Sequence, residues 1–349
     1  MANWYAETFG TVLKDIDLAL RAFTSEHERK ALIFWQQVHE HFDWPYPDAS
    51  VSDQGFRSAG KRIRPLLMAI VARSLSGKYE HVLPVGIALE TIHNFTLIHD
   101  DIMDKSLERR HRPTVWSRYG IAQAINTGDG LYSIGILSSL NLGTKGIPAE
   151  KVLRATQILM TACLDTVEGQ ALDLSFEERT DISPQEYLTM IRLKTGRFIE
   201  TATQLGALLS TDDDAIIEHY ANYGKYLGWA FQMWDDYLGI WGDPEVLGKS
   251  STSDIEQKKK SYPITLAFTL ADESQLERLQ TLYSKEALDE KDVSEVLEML
   301  NALGLGEKTK SYVDEYYEKA MKALDALAFD NEDYDNLKKL AQFIVQREY

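Results

Sequence analysis

The chain has 349 residues, with 37 Lys plus Arg against 54 Asp plus Glu, for a formal net charge of −17. So acidic a surface disfavours nucleic acid and anionic membranes, and any anionic ligand needs cations gathered locally. The single cysteine, Cys163, excludes an internal disulfide framework and suits a reducing compartment. The first residues lack a basic stretch followed by an apolar one, so no signal peptide and a cytoplasmic location are expected. The longest apolar run, Leu66 to Ala72, is far below the roughly 20 residues of a membrane span.

Stretches rich in Leu, Ala, Glu, Lys and Gln favour helix throughout, and no alternation is sustained enough to build a sheet. Near residue 60, GKRIRP places Lys61, Arg62 and Arg64 just ahead of the run Leu66–Val71. Alone it fits a helix flank as well as an anion site, and its glycine spacing is not that of a P-loop. Stop signals follow at Ser76-Gly77, Gly143 to Pro148, Thr211 to Asp214, Gly242-Asp243-Pro244 and Gly304 to Gly306. Residues 151–174 and 287–306 carry apolar residues at three- and four-residue spacing. Between them, Ser183-Pro184-Gln185-Glu186 predicts a helix start, with Ser183 as cap, Pro184 at the first helical position and Glu186 completing a capping box. One all-α domain over residues 1–349 is expected.

The segment ETIHNFTLIHDDIMDKSLERRHRPTVW carries the strongest chemical signal. At 3.6 residues per turn, Asp100 and Asp104 share a helix face, with Asp101 beside them. Like charges so spaced destabilise a bare helix, and a hard divalent cation relieves them. A solvated acidic face is the alternative, but the apolar stretch Phe95-Thr96-Leu97-Ile98 makes the aspartates the end of a buried segment. Arg109, Arg110 and Arg112 follow; guanidinium forks bind phosphate, although ion pairs with the aspartates would also explain them. His93 lies two turns before Asp100 on the same wall. Downstream, Gln232, Asp235 and Asp236 repeat the pattern, with Gly239 where a third aspartate would stand, and Lys249 and Lys258 to Lys260 supply cations. Lys194-Thr195-Gly196-Arg197 is a further basic patch, ambiguous by itself.

In this order the motifs resemble those of the trans-isoprenyl diphosphate synthases, or polyprenyl synthetases: GKRIRP, DDIMD, RRHRPT, KTGR, FQMWDD and GKSSTSDIEQKKKSYP. The resemblance covers nearly the whole chain. It implies an all-α helical bundle around a deep central cavity, usually homodimeric, with the two aspartate motifs facing across the cavity mouth. It implies that Asp100 and Asp104 bind two Mg²⁺ ions and Asp235 a third, supported by Asp101 and Asp236. By the same resemblance Arg109, Lys194, Thr195, Gln232, Lys249 and Lys259 contact the allylic diphosphate, Lys194 and Lys259 among the catalytic groups. Lys61, Arg64, His93 and Arg110 then bind isopentenyl diphosphate. Two positions depart from the pattern: Gly239 replaces an aspartate, and His111 stands where glycine commonly follows the two arginines.

The implied reaction ionises the allylic diphosphate and couples it to isopentenyl diphosphate. In this family bulky residues four and five positions before the first aspartate limit product length. Here those are Thr96 and Phe95, which resembles the pattern of C20 (geranylgeranyl) producers, with C15 (farnesyl) next. Phe95 lies about 140° around the helix from Asp100, so ordinary core packing also fits it. A class I terpene cyclase would need a second motif that is missing here, and a non-catalytic partner subunit would have lost the aspartates or arginines that this chain keeps.

Overall fold

Helix boundaries fall where the local chemistry places them. The computed structural model describes residues 2–27, 31–44, 60–177, 179–244, 250 and 252–345. The first helices are α1 (Ala2–His27), α2 (Leu32–Phe42), α3 (Ile63–Ser76) and α4 (Leu83–Met103). After α5 (Val115–Tyr119) come α6 (Ile121–Leu140), α7 (Ala149–Phe176), α8 (Pro184–Ile191), α9 (Arg197–Leu208) and α10 (Asp214–Trp241). Further helices continue to Val345. The stop signals at Ser76-Gly77, 143–148 and 211–214 all separate helices, and Ser183 and Glu186 form the expected capping box. Strand is confined, among the described residues, to a ribbon of two residues a side, Glu108–Arg109 with Arg112–Pro113.

The chain forms two compact units, Met1–Met160 with Gln204–Asp214, and Thr161–Thr203 with Ala215–Tyr349. In the first, α1 buries Phe9, Val12, Ile16 and Leu20, spaced by three and four residues, and packs with α3 and α4. The run Leu66 to Ala72 of α3 is wholly buried, each large side chain contributing about 1.5–3 kcal/mol. Along α4, Val85, Ala88, Leu89 and Ile92 are buried, and α6 packs along this helix. The core of the second unit is aromatic and hydroxylated, with Tyr187, Tyr220, Tyr223 and Tyr262 fully buried. Tyr223 donates to the carbonyl of Leu337 at 2.9 Å, and Tyr187 to Asp236, so their hydroxyls are satisfied. Among the described residues no helix is long and apolar enough to cross a membrane.

Candidate active site

The first acidic cluster ends α4. Asp100 and Asp101 lie in its last turn, and the N–H of Asp104 closes the helix on the carbonyl of Asp100 at 2.8 Å. The three carboxylates differ in surroundings: Asp101 is 2% exposed, Asp100 partly exposed and Asp104 exposed. Arg109 grips Asp101 with Nε at 2.9 Å and Nη2 at 2.8 Å, while its Nη2 stands 3.7 Å from Asp100. Burial raises the Asp101 pKa and Arg109 opposes the rise.

Arg109 reaches back because the next residues form a hairpin. Arg109 pairs with Arg112 across the ribbon, and the two residues between them, Arg110 and His111, take φ of 55° and 59°. Positive φ at both central positions is what a tight two-residue connection of type I′ demands. The loop is pinned from below: Thr114 donates to the carbonyl of Ser106 at 2.9 Å, as does the indole of Trp116 at 2.7 Å. Arg112 pairs with Asp43. Beside the hairpin lies a cavity of about 40 Å³ lined by His41, Asp101, Arg109, Arg110 and Arg112.

Arg64 and His93 are half-buried, and Lys61 and Arg110 exposed. Burial, helped by the nearby charges of Arg64, Arg110 and Arg109, pushes the His93 pKa well below its ordinary value, so its ring is neutral. The structure thus gathers His93, Arg64, Arg109 and Arg110 into one cationic neighbourhood. On the same helix, Phe95 packs edge-on to His99 at 4.8 Å and against Tyr132 of α6 at 5.4 Å, and Thr96 donates to the carbonyl of His93 at 2.8 Å.

The second cluster belongs to the other unit and has the same division of labour. Asp236 is fully buried and accepts from the hydroxyl of Tyr187, the N–H of Tyr262 at 3.0 Å and Nε2 of Gln232 at 3.1 Å. Burial pushes its pKa up to about 6 against the pull of Lys259. Asp235 beside it is partly exposed. Lys259 stands 3.9 Å from Asp236 and 3.8 Å from Asp254. Desolvation disfavours its charge, but Asp254, Asp236, Asp235 and Asp173 together outweigh that, so its pKa is raised.

Lys194 and Thr195 sit on a π-helical turn, Arg192–Gly196, inserted between α8 and α9. The extra residue per turn re-aims them. Lys194 pairs with Asp173 of α7 at 2.5 Å, and Thr195 donates to Oε1 of Gln232 at 2.8 Å. Lys249 lies outside the described residues.

Tyr187, Asp173 and Asp254 had no assigned role from sequence. Asp254 lies inside a motif already singled out, so its carboxylate was the discoverable one. The other two are an ordinary helical tyrosine and aspartate until the fold joins them to Asp236 and Lys194. No group of three or more His, Cys, Asp or Glu able to hold a metal ion occurs among the described residues. The accessible groups are single carboxylates with hard oxygen donors. That donor set fits Mg²⁺, which takes one or two carboxylates and completes its shell with water and substrate phosphate.

The polyprenyl synthetase family profile matches residues 49–300. A geranylgeranyl diphosphate synthase of Saccharolobus solfataricus is 36% identical over 295 residues, 84% of this chain and 88% of that protein. A (2E,6E)-farnesyl diphosphate synthase of Mycobacterium tuberculosis is 38% identical over 208 residues, 60% of this chain and 56% of that one. The crystal structure of geranylgeranyl pyrophosphate synthetase from Pyrococcus horikoshii superimposes with a TM-score of 0.85 at 30% identity, over 98% of this chain and 99% of that one. The chain belongs to the polyprenyl synthetase family.

Proposed function

We propose that this trans-prenyltransferase is a single synthase domain, residues 1–349, that joins isopentenyl diphosphate head-to-tail to allylic diphosphates and stops at C20, geranylgeranyl diphosphate. The names of its relatives support the reaction class, and the observation that carries the product length is Phe95, closed against Tyr132 one and a half turns before Asp100. The 38% identity to a farnesyl synthase makes C15 the second reading.

In the reaction the allylic carbon–oxygen bond breaks, the isopentenyl double bond attacks the allylic carbon, and a proton leaves the isopentenyl unit. Asp100 and Asp104 would hold two Mg²⁺ ions and Asp235 a third, and when bound these supply positive charge to the departing diphosphate. Arg109, Lys194, Lys249 and Lys259, with Thr195 and Gln232, hold the allylic diphosphate and share that charge stabilisation. Lys61, Arg64, His93 and Arg110 fix isopentenyl diphosphate, and orientation of the two partners lowers the barrier to carbon–carbon bonding. Neutral His93 serves as a hydrogen-bond donor there. The proton passes to the released diphosphate, no side chain of the motifs being an obvious base. A homodimer in the cytoplasm is part of this reading. Exposed Ile121, Ile125, Leu137 and Leu140 of α6 supply apolar surface for the second copy.

The test is product analysis with Mg²⁺, labelled isopentenyl diphosphate, and dimethylallyl, geranyl or farnesyl diphosphate in turn. C20 from all three primers is expected, and Phe95→Ala should shift product beyond C20. Termination at C15 would replace the product assignment, and an unchanged length in Phe95→Ala would remove Phe95 as the floor.

A further inference from the structure

Arg62 stands between Lys61 and Arg64 but turns the other way. It is 3% exposed and takes a φ of 48°, a left-handed conformation that a residue with a Cβ holds only against a cost. Its Nε donates to Asp17 of α1 at 2.9 Å and its Nη1 to Glu90 of α4 at 2.8 Å, and its guanidinium lies 5.3 Å over the ring of Phe42 of α2. Glu90 accepts in turn from Asn94, whose Nδ2 also donates to the Glu90 carbonyl at 2.7 Å. With Nδ2 committed to Glu90, Oδ1 of Asn94 faces Nε2 of His41 at 2.9 Å, so Nε2 carries the hydrogen and donates. A continuous and largely buried chain of hydrogen bonds therefore joins α1, the 60–64 segment, α4 and α2. It ends at His41 in the wall of the cavity that Arg109, Arg110 and Arg112 also line.

This network adjoins Lys61 and His93 in the chain, and the neighbouring Gly60 packs against Arg110. The main-chain carbonyl of Lys61 accepts from Tyr5 at 2.5 Å, next to the anchored Arg62. Asn94 adjoins His93. The Arg110 guanidinium lies against Gly60, 3.0 Å from where a Cβ would stand. Lys61, Arg64, His93 and Arg110 come from three separate stretches of chain, and a shared anion requires them to be mutually placed within roughly 0.5 Å. Buried ion pairs contribute little net stability, but a buried hydrogen-bonded network constrains the segments it joins.

We propose that the Asp17–Arg62–Glu90–Asn94–His41 network positions Lys61, Arg64, His93 and Arg110 for one diphosphate, with Arg62 and His41 as its positioning residues. The proposal rests on the assignment of those four residues to isopentenyl diphosphate. The test is steady-state kinetics on the full chain with each substrate varied separately, for Lys61→Ala, Arg62→Lys, His41→Phe and His41→Gln. Lys61→Ala should raise KM for isopentenyl diphosphate. Arg62→Lys and His41→Phe should raise the same KM about tenfold while kcat and the allylic KM move less than about threefold. His41→Gln keeps a donor near the Nε2 position and should restore wild-type behaviour. Should Arg62→Lys not fold, the His41 pair carries the measurement, because it removes no buried charge. If Lys61→Ala raises this KM while the Arg62 and His41 variants leave it unchanged, or raise both KM values together, the network's role is overturned alone. An unchanged KM in Lys61→Ala overturns the binding assignment and the proposal with it.

Discussion

His111 occupies the second central position of the Arg109–Arg112 hairpin at a φ of 59°, where a side chain meets its own backbone. Glycine is common at this place in the family because it carries no such penalty. His111→Gly is therefore expected to stabilise the protein by about 0.5–1 kcal/mol, read from the midpoint of urea unfolding. An unchanged or lower midpoint would show that the histidine is compensated by its surroundings. Gly239 has the opposite logic. A Cβ built there would stand 2.5–2.6 Å from the carboxylate of Asp254, so the space of the missing aspartate is already filled by another one. Gly239→Asp restores the family's acid in sequence but forces two like charges together in a buried setting. We expect a loss of about 2 kcal/mol in stability and at least tenfold in kcat/KM. A stable and fully active Gly239→Asp would mean that Asp254 can yield its place.

At the scale of elements, helices and their ends were legible because they depend on local chemistry: apolar spacing, the Ser183 capping box, and the breaks at 76–77 and 211–214. The ribbon at 108–113 was not, because two residues a side give no alternation to read. Nor was the π turn at Arg192–Gly196, whose stability comes from what packs on it. Gly169 of α7 allows that packing: a Cβ there would lie 2.3 Å from the backbone nitrogen of Lys194. The candidate site divided in the same way. Its outward residues stand in motifs, as Asp254 does, whereas Tyr187 and Asp173 gain their roles only from tertiary contact. Gly169→Ala should displace the π turn, and with it Lys194 and Thr195. A rise of about tenfold in KM for the allylic diphosphate, with helical content retained by circular dichroism, is expected. An unaltered KM would show that the turn does not set the position of Lys194.

The whole molecule carries a net charge of −17, yet it keeps two histidines, His41 and His93, uncharged beside Arg109 and Arg110. Burial lowers the His41 pKa from an ordinary 6.5 to about 3, with Arg110, Arg109 and Arg62 adding to the shift and the Asn94 hydrogen bond opposing it. In the unfolded chain the ring takes up a proton near its ordinary pKa. Between about pH 6.5 and pH 3 the unfolded state therefore binds more protons, and stability falls as pH falls through that window. Above it the contribution is fully present. Part of the loss belongs to His93 and to carboxylates elsewhere, so the informative quantity is a difference between variants. Urea midpoints at pH 7.5, 6.5, 5.5 and 5.0 should decline for the wild type, and decline less steeply for His41→Gln, whose amide has no proton to gain. Parallel declines would show that His41 is as readily protonated in the folded protein as in the unfolded chain.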